Sequence, residues 1–424
     1  MRRKWILIAV AVLVLVLAGA AVAAYLSVSD KPESGLDTEL AGVSVQTVAE
    51  SEPTTTAETT TAEEPEGPPE RCWRVFVANP QRSLSRTDID LGRPRRPLWA
   101  RAMGDLMEFP PVFCDGTLYV NLEHGKVLAV DAATGKTIWQ RSMGAKTVSS
   151  AAISGPFLYV AALDGSVSAL RRSHGTIVWR VKVPGAVESS PAVVDGTVYF
   201  ASTEGRVYAV NERSGAVRWA FNTGGRMTSS PSVYGRRVCV PTYAGSIFCL
   251  DRRSGRPLWS TYVKRDLLRY ESFYASTSTD GARLYSIARS GKVVALSAAS
   301  GRVVWTYQSG GWGYATPAVA DGRVFTGAFD GQFRAFRANT GRVLWTTDVD
   351  GRIIGPPVVI GKLVFVATLE HRVFALRVGD GRIVWRFKSG AYSPGIASDR
   401  YYYFSLNGLL VAFRGEKSPK GQPG

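Results

Sequence analysis

Histidine occurs three times in 424 residues, cysteine four times and methionine five times. That scarcity excludes a metal-rich or thiol-based enzyme, since such sites draw several His and Cys to ligand spacing. The three histidines do not help one another. His124 and His174 fall in turns on opposite faces of a repeating unit, and His371 stands where the other units have Gly. His tolerates positive φ better than most residues, so His371 reads as a turn filler. No Ser–His–Asp set can be assembled, and no glycine loop that would cradle a phosphate. Long apolar runs are equally rare. One exists, Trp5 to Leu26, with no charge in 22 residues.

As a helix, that run is about 33 Å long, enough to cross a bilayer core of about 30 Å. Arg2, Arg3 and Lys4 precede it, which keeps the N-terminus cytoplasmic and places everything after Leu26 outside. Ala20 to Ala24 offer the small residues a signal peptidase accepts, but cleaved signals carry shorter apolar stretches of about 7–15 residues. The run is read as an uncleaved anchor. No Cys follows it, which excludes a lipoprotein anchor.

The net charge of +16 is divided sharply along the chain. Residues 1–26 carry +3, residues 27–70 carry −10, and residues 71–424 carry +23. The acidic stretch, rich in Thr, Glu and Pro, reads as a disordered linker. Residues 71–94 are a lead-in segment and 415–424 a flexible tail. A basic body outside the cell excludes nucleic acid and points to wall polymers, anionic lipid headgroups or acidic proteins.

Self-comparison decides the fold. Trp99, Trp139, Trp179, Trp219, Trp259, Trp305, Trp345 and Trp385 recur every 40 residues, with one step of 46. Seven of them follow a Gly by four positions, and within each unit β-rich runs alternate with turn signals such as Asp195-Gly196 and Glu204-Gly205. A period of about 40 with four short strands is a β-propeller. Each Trp belongs to an outer strand and fills the gap to the next blade. Ser149-Ser150, Ser189-Ser190, Ser229-Ser230, Thr316-Pro317 and Ser393-Pro394 open the innermost strands, where crowding at the axis demands small side chains. The last unit, Ile396 to Arg414, lacks an outer strand, and Arg95 to Arg101 is an orphan outer strand. Lending one to the other closes an all-β, eight-bladed ring over 95–414 and leaves no open edge.

The repeat Asp131 to Trp139, DAATGKTIW, resembles that of the pyrroloquinoline quinone (PQQ) dehydrogenases and their non-enzymatic relatives. Among those relatives is the propeller lipoprotein of outer-membrane protein assembly. The lead-in, from Cys72-Trp73 to Asn79-Pro80-Gln81-Arg82, also resembles segments that precede such propellers. The resemblance implies the fold. For an active quinoprotein it would further imply a floor Trp, Ca²⁺ held by carboxylate and amide oxygens, a base, and a disulfide between adjacent cysteines. No two cysteines are adjacent here. The inter-blade loops hold few carboxylates (Asp105, Glu108, Glu188, Asp266, Glu271, Asp350), none at oxygen-ligand spacing. The expectation is a binding or scaffold protein with no cofactor and no metal; the alternatives are a degenerate quinoprotein dehydrogenase or a wall-polysaccharide hydrolase.

What remains is the rim where the inter-blade loops surround the channel. It holds Lys146, Arg226, Lys264, Arg265, Arg269 and Arg352 among Trp312, Tyr314 and Tyr392. Cations among aromatics suit an acidic partner, protein or cell-envelope polymer. Arg also recurs on the opposite face, at Arg256, Arg302, Arg342 and Arg382, where it only solvates turns. The acidic linker could fold back on the rim and compete for it.

The cysteines form two pairs. Cys239 and Cys249 occupy positions where other blades set an aromatic opposite Ala: Tyr119 with Ala129, Tyr159 with Ala169, Tyr199 with Ala209, Tyr285 with Ala295, Phe325 with Ala335, Phe365 with Ala375 and Tyr402 with Ala412. Cross-strand neighbours in an oxidising exterior should join, the alternative being two buried thiols. By elimination Cys72 pairs with Cys114 and staples the lead-in to the propeller.

Overall fold

A computed structural model describes residues 35–36, 44–47, 72–75, 79–388, 395–406 and 408–418. Eight antiparallel sheets stand around one axis. Blade one holds the strands from Val112–Cys114 to Thr137–Ser142, and blades two to seven follow in sequence order. In blade eight Pro94–Ala102 pairs with Leu409–Gly415, setting Trp99 opposite Ala412, so the N-terminal strand closes the ring. Residues 1–26 lie outside the described part. Among the described residues no helix is long and apolar enough to cross a membrane.

Within a blade, one row of side chains explains the repeat. Tyr119 sits opposite Ala129, and Ala129 opposite Trp139. Because Ala is small, the two rings meet across it, with centroids 6.0 Å apart. The same row recurs as Tyr159–Trp179 at 5.8 Å, Tyr199–Trp219 at 6.0 Å and Tyr285–Trp305 at 6.0 Å. Each Trp then reaches the next blade: the indole N–H of Trp139 donates to the Arg172 carbonyl at 2.7 Å, and that of Trp219 to the Arg252 carbonyl at 3.0 Å. The inter-blade role expected for the periodic Trp residues is what the packing shows.

Blade four breaks the row. Cys239 lies directly opposite Cys249, and the two are joined as a disulfide. The missing aromatic is replaced by Tyr234, whose hydroxyl donates to the Ala298 carbonyl of blade five at 3.5 Å. That is the inter-blade bond Tyr199 makes to the Arg252 carbonyl at 3.1 Å.

Blade eight corrects one expected pair. Ala412 faces Tyr403, and Tyr402 faces Phe413. Leu406 pairs with Leu409, so this hairpin turns in two residues, whereas Asn121 pairs with Val127 across five. The shorter turn shifts the partner by one.

Near the axis the small residues do more than save space. The backbone N–H of Ser150 donates to the Ser190 hydroxyl at 3.1 Å, Ser190 to Ser230 at 2.8 Å, Ser230 to Ser276 at 2.9 Å and Ser276 to Thr316 at 3.0 Å. A chain of hydroxyls thereby ties blades two to six together.

The lead-in is a plug. Trp73 bridges to Phe113, and the N–H groups of Ile153, Val233 and Val319 donate to the carbonyls of Arg74, Pro80 and Ser83. Ser85–Arg86 then pairs in parallel with Val358–Ile360. These contacts cross the inner strands next to their first turns, at the end away from the rim. Arg82 is fully buried there and donates to the carbonyls of Pro231 at 2.7 Å and Ser190 at 2.8 Å. Burial pulls its guanidinium down to about 9, so it remains a cation at neutral pH. The Cys72–Cys114 disulfide fixes the start of the plug, as elimination predicted.

Two further expectations need correcting. The tail is pinned at its start: Glu416 pairs with Arg93 at 2.7 Å and Lys417 with Asp90 at 2.6 Å, which fastens residues 415–418 to the lead-in. The linker is not featureless either. Gly35–Leu36 pairs with the outer strand Val217–Asn222 of blade three, and Ser44–Thr47 with Ile177–Lys182 of blade two. Composition hides both strands because so few residues make them.

Candidate binding site at the channel mouth

Blades one to seven each present two loops to the mouth, and backbone bonds zip them together. The N–H of Tyr243 donates to the Arg226 carbonyl at 2.9 Å, that of Phe329 to the Trp312 carbonyl at 2.9 Å and that of Leu369 to the Arg352 carbonyl at 2.9 Å. The rim is therefore built from inter-blade loops and from the turns between second and third strands, and sequence reasoning considered the first set alone. The signal for the second was available: it is the residue two before each turn Gly, namely Glu123, Leu163, Thr203, Tyr243, Arg289, Phe329 and, before His371, Leu369. His371 has φ 57°, as a residue in a Gly position should.

On blades four to six these residues form an aromatic arc. Tyr243 and Tyr274 have centroids 4.2 Å apart, Tyr274 and Tyr314 5.1 Å, Tyr314 and Phe329 5.4 Å, and Phe329 and Trp312 6.0 Å. Arginines lie over it: Arg226 on Tyr243, Arg289 on Trp312 and Arg352 on Phe329, each 5.1–5.9 Å from the ring centroid. Four of the sequence-selected residues, Arg226, Trp312, Tyr314 and Arg352, are thus brought together. Arg289, Tyr243, Tyr274 and Phe329 were missed.

The cations are less free than the sequence suggested. Lys146 pairs with Glu123 at 3.0 Å, Arg269 with Asp266 at 2.9 Å, and Arg352 with Glu370 at 2.9 Å; Arg226 stands 3.9 Å from Glu188. Lys264 and Arg265 form no ion pair among the described residues. Tyr392 lies outside the described residues.

Below the arc is a cup of about 410 Å³, lined by Glu108, Glu188, Thr228, Tyr274 and Tyr314. Burial raises the pKa of both glutamates, and Glu108 is raised further by Glu123 and Glu188 nearby. The mouth is therefore a mildly acidic cup inside a basic aromatic collar.

The loop after Trp259 carries the most exposed large apolar side chains among the described residues. Lys264 and Tyr270 form a bridge, and the Asp266 carboxylate accepts the N–H groups of Leu268 at 3.0 Å and Arg269 at 2.9 Å. This small hairpin holds up Leu267, 94% exposed, and Leu268, 80% exposed. Exposing two leucines on an ordered tip costs solvation and stabilises nothing within the fold.

Comparison with known proteins fixes the family. The model of a family described as outer membrane protein assembly factor BamB matches residues 16–141, 123–267, 244–348 and 325–417. The chain belongs to that family. Among solved structures, BamB from Moraxella catarrhalis is 19% identical, covers 77% of this chain and 99% of its own, and superposes with a TM-score of 0.63. A europium-containing methanol dehydrogenase is 13% identical over 81% of this chain and 98% of its own, with a TM-score of 0.68. The quinohemoprotein alcohol dehydrogenase from Comamonas testosteroni is 14% identical over 84% of this chain and 82% of its own, also at 0.68. At these identities the likeness is one of fold. No curated protein matches the chain.

The dehydrogenase neighbours raise the question of PQQ and Ca²⁺, and the cup fits neither. A tricarboxylate quinone would meet Glu108 and Glu188, whose own ionisation is already opposed, and among the described residues no Trp lines the cup. Among the described residues, two groups could share an ion. Cys72, Cys114 and Asp115 include the disulfide, and Asp105, Glu123 and His124 sit on the rim outside the cup, with Asp105 bonded to His124 at 2.8 Å. Supplying the full chain with PQQ and Ca²⁺ should give dye reduction with alcohols or sugars no faster than PQQ alone. A rate that saturates with protein would overturn this.

Proposed function

We propose that the chain is a membrane-held, extracytoplasmic binding or scaffold protein without catalytic activity. Residues 5–26 anchor it with the N-terminus in the cytoplasm, and the rim of blades four to six is the docking face. The partner is a protein with an apolar recess edged by carboxylates. The near-complete exposure of Leu267 and Leu268 carries this reading, because such a tip is built to be buried by something else. Lys264 and Arg265 beside it, and the arginine-covered arc, supply the charge complementarity that steers an acidic partner. That the family model is described as an assembly factor supports a scaffold role.

The test is a photo-crosslinker at Leu267 in cells, with one at Thr340 on the opposite face as the control. A discrete protein adduct is expected at Leu267 and none at Thr340. Leu267→Ser with Leu268→Ser should lower recovery of the same partner at least tenfold and leave Tm unchanged within about 1 °C, since exposed side chains stabilise little. If purified protein instead binds phosphatidylglycerol vesicles or acidic wall polymer equally well with and without the leucines, the protein-partner reading fails.

A further inference from the structure

The linker strands bear on how the propeller is held. Gly35 and Leu36 lie opposite Asn222 and Phe221 of blade three, and Ser44 to Thr47 run antiparallel to Trp179 to Lys182 of blade two. The outer strands they meet carry buried apolar residues. Two positions after the periodic Trp, blades two and three carry Val181 and Phe221, both fully buried. The matching residues are Arg101 and Arg141, Thr261 and Thr347, and the half-buried aromatics Tyr307 and Phe387. The linker strands pair with these two outer edges and, among the described residues, with no other.

We infer that the outer edges of blades two and three are a docking surface for this chain's own linker, and that docking orients the propeller with this wall toward the membrane. The orientation rests on the reading of residues 5–26 as a membrane helix. Nine residue steps separate Leu26 from Gly35, a reach of at most about 32 Å. Without docking, the first fixed point would be Cys72, 46 steps away and reachable at up to about 160 Å, with the propeller free to turn. Docking converts a leash into a short mount. It also leaves the rim of blades five and six on a part of the ring away from the mount, open to a partner. The bonds are few, so the mount can be exchanged: an extended strand from another chain would compete for the same edge.

The test uses the full chain in vesicles. A short thiol crosslinker should join Gln46→Cys to Arg180→Cys in high yield and fail with Gln46→Cys and Thr346→Cys, the same outer-strand position in blade six. Energy transfer to a lipid dye should be at least twofold stronger from a fluorophore at Ser214→Cys, in blade three, than at Thr340→Cys, the matching turn of blade six. Successive N–H groups of a strand point to opposite edges, so replacing both Val45 and Gln46 by Pro removes one that faces blade two. That variant should abolish the crosslink and make the two transfer signals equal. Absence of the blade-two crosslink overturns the docking itself. A crosslink with equal transfer from both labels, in chain that remains with the vesicles after alkaline washing, overturns the orientation. Loss of the chain from the vesicles on washing means that residues 5–26 do not anchor it; the orientation then falls with the anchor while the crosslink still decides docking.

Discussion

Arg82→Met should open the far end of the channel and cost about 2–4 kcal/mol of stability. The guanidinium is fully buried and donates to the carbonyls of Pro231 and Ser190, which belong to different blades. Met fills similar volume but leaves both carbonyls without that donor, at about 1–3 kcal/mol each. Relief from burying a charge returns part of this, which is why the net falls short of the sum. Arg82→Lys retains the charge but lacks the planar fork that reaches two blades at once, so it should recover less than half of the loss. The measurements are chemical denaturation and the rate at which a protease cuts within residues 72–94. Cutting should accelerate at least tenfold in Arg82→Met. Cys72→Ser with Cys114→Ser should accelerate it as well, since that disulfide contributes about 2–4 kcal/mol through loop closure. Unchanged cutting in both variants would show that the lead-in is held by its backbone bonds alone.

The plug also marks where sequence reasoning stopped. Eight blades, their closure by the strand around Trp99 and both disulfides were legible, because each repeats or breaks a pattern of fixed period. Arg82 was visible only as part of a lead-in motif, since nothing in one sequence says which Arg enters a channel. The mouth was half legible. Arg226, Trp312, Tyr314 and Arg352 stand out because they lie in inter-blade loops, whereas Tyr243 and Phe329 lie in the turns between second and third strands, where nothing in the repeat sets them apart. Ion pairing was illegible: Lys146 meets Glu123 across 23 positions, and only the zipped loops bring them together. The linker strands were hidden for a different reason. Four residues of Ser, Val, Gln and Thr carry no pattern of their own, and the edges that receive them are no more apolar than those of blades five and seven, which have Tyr307 and Phe387 where blades two and three have Val181 and Phe221.

The Gly-x-x-x-Trp repeat carries a second meaning, with a large expected effect. Gly175 precedes Trp179 by four residues and takes φ 71° in its turn, but the ring pressed on it is Trp139, from the blade before. A Cβ on Gly175 would stand 2.6 Å from Trp139 Cε3. The Trp cannot yield easily, because its indole N–H is bonded to the Arg172 carbonyl at 2.7 Å and its ring meets Tyr119 across Ala129. Gly175→Ala should therefore incur two costs, about 1–2 kcal/mol for an L side chain in the left-handed region and about 1–3 kcal/mol for displacing a packed ring. Gly144 separates them. It has φ 80° with nothing within 4 Å of a built Cβ, so Gly144→Ala should show the backbone cost alone. Denaturant midpoints should fall clearly further for Gly175→Ala, and hydrogen exchange should quicken at Trp139 and Arg172 on both sides of the blade one–two seam. Equal losses from the two variants would mean that the periodic Gly serves only its own turn, and that the seam between blades does not depend on it.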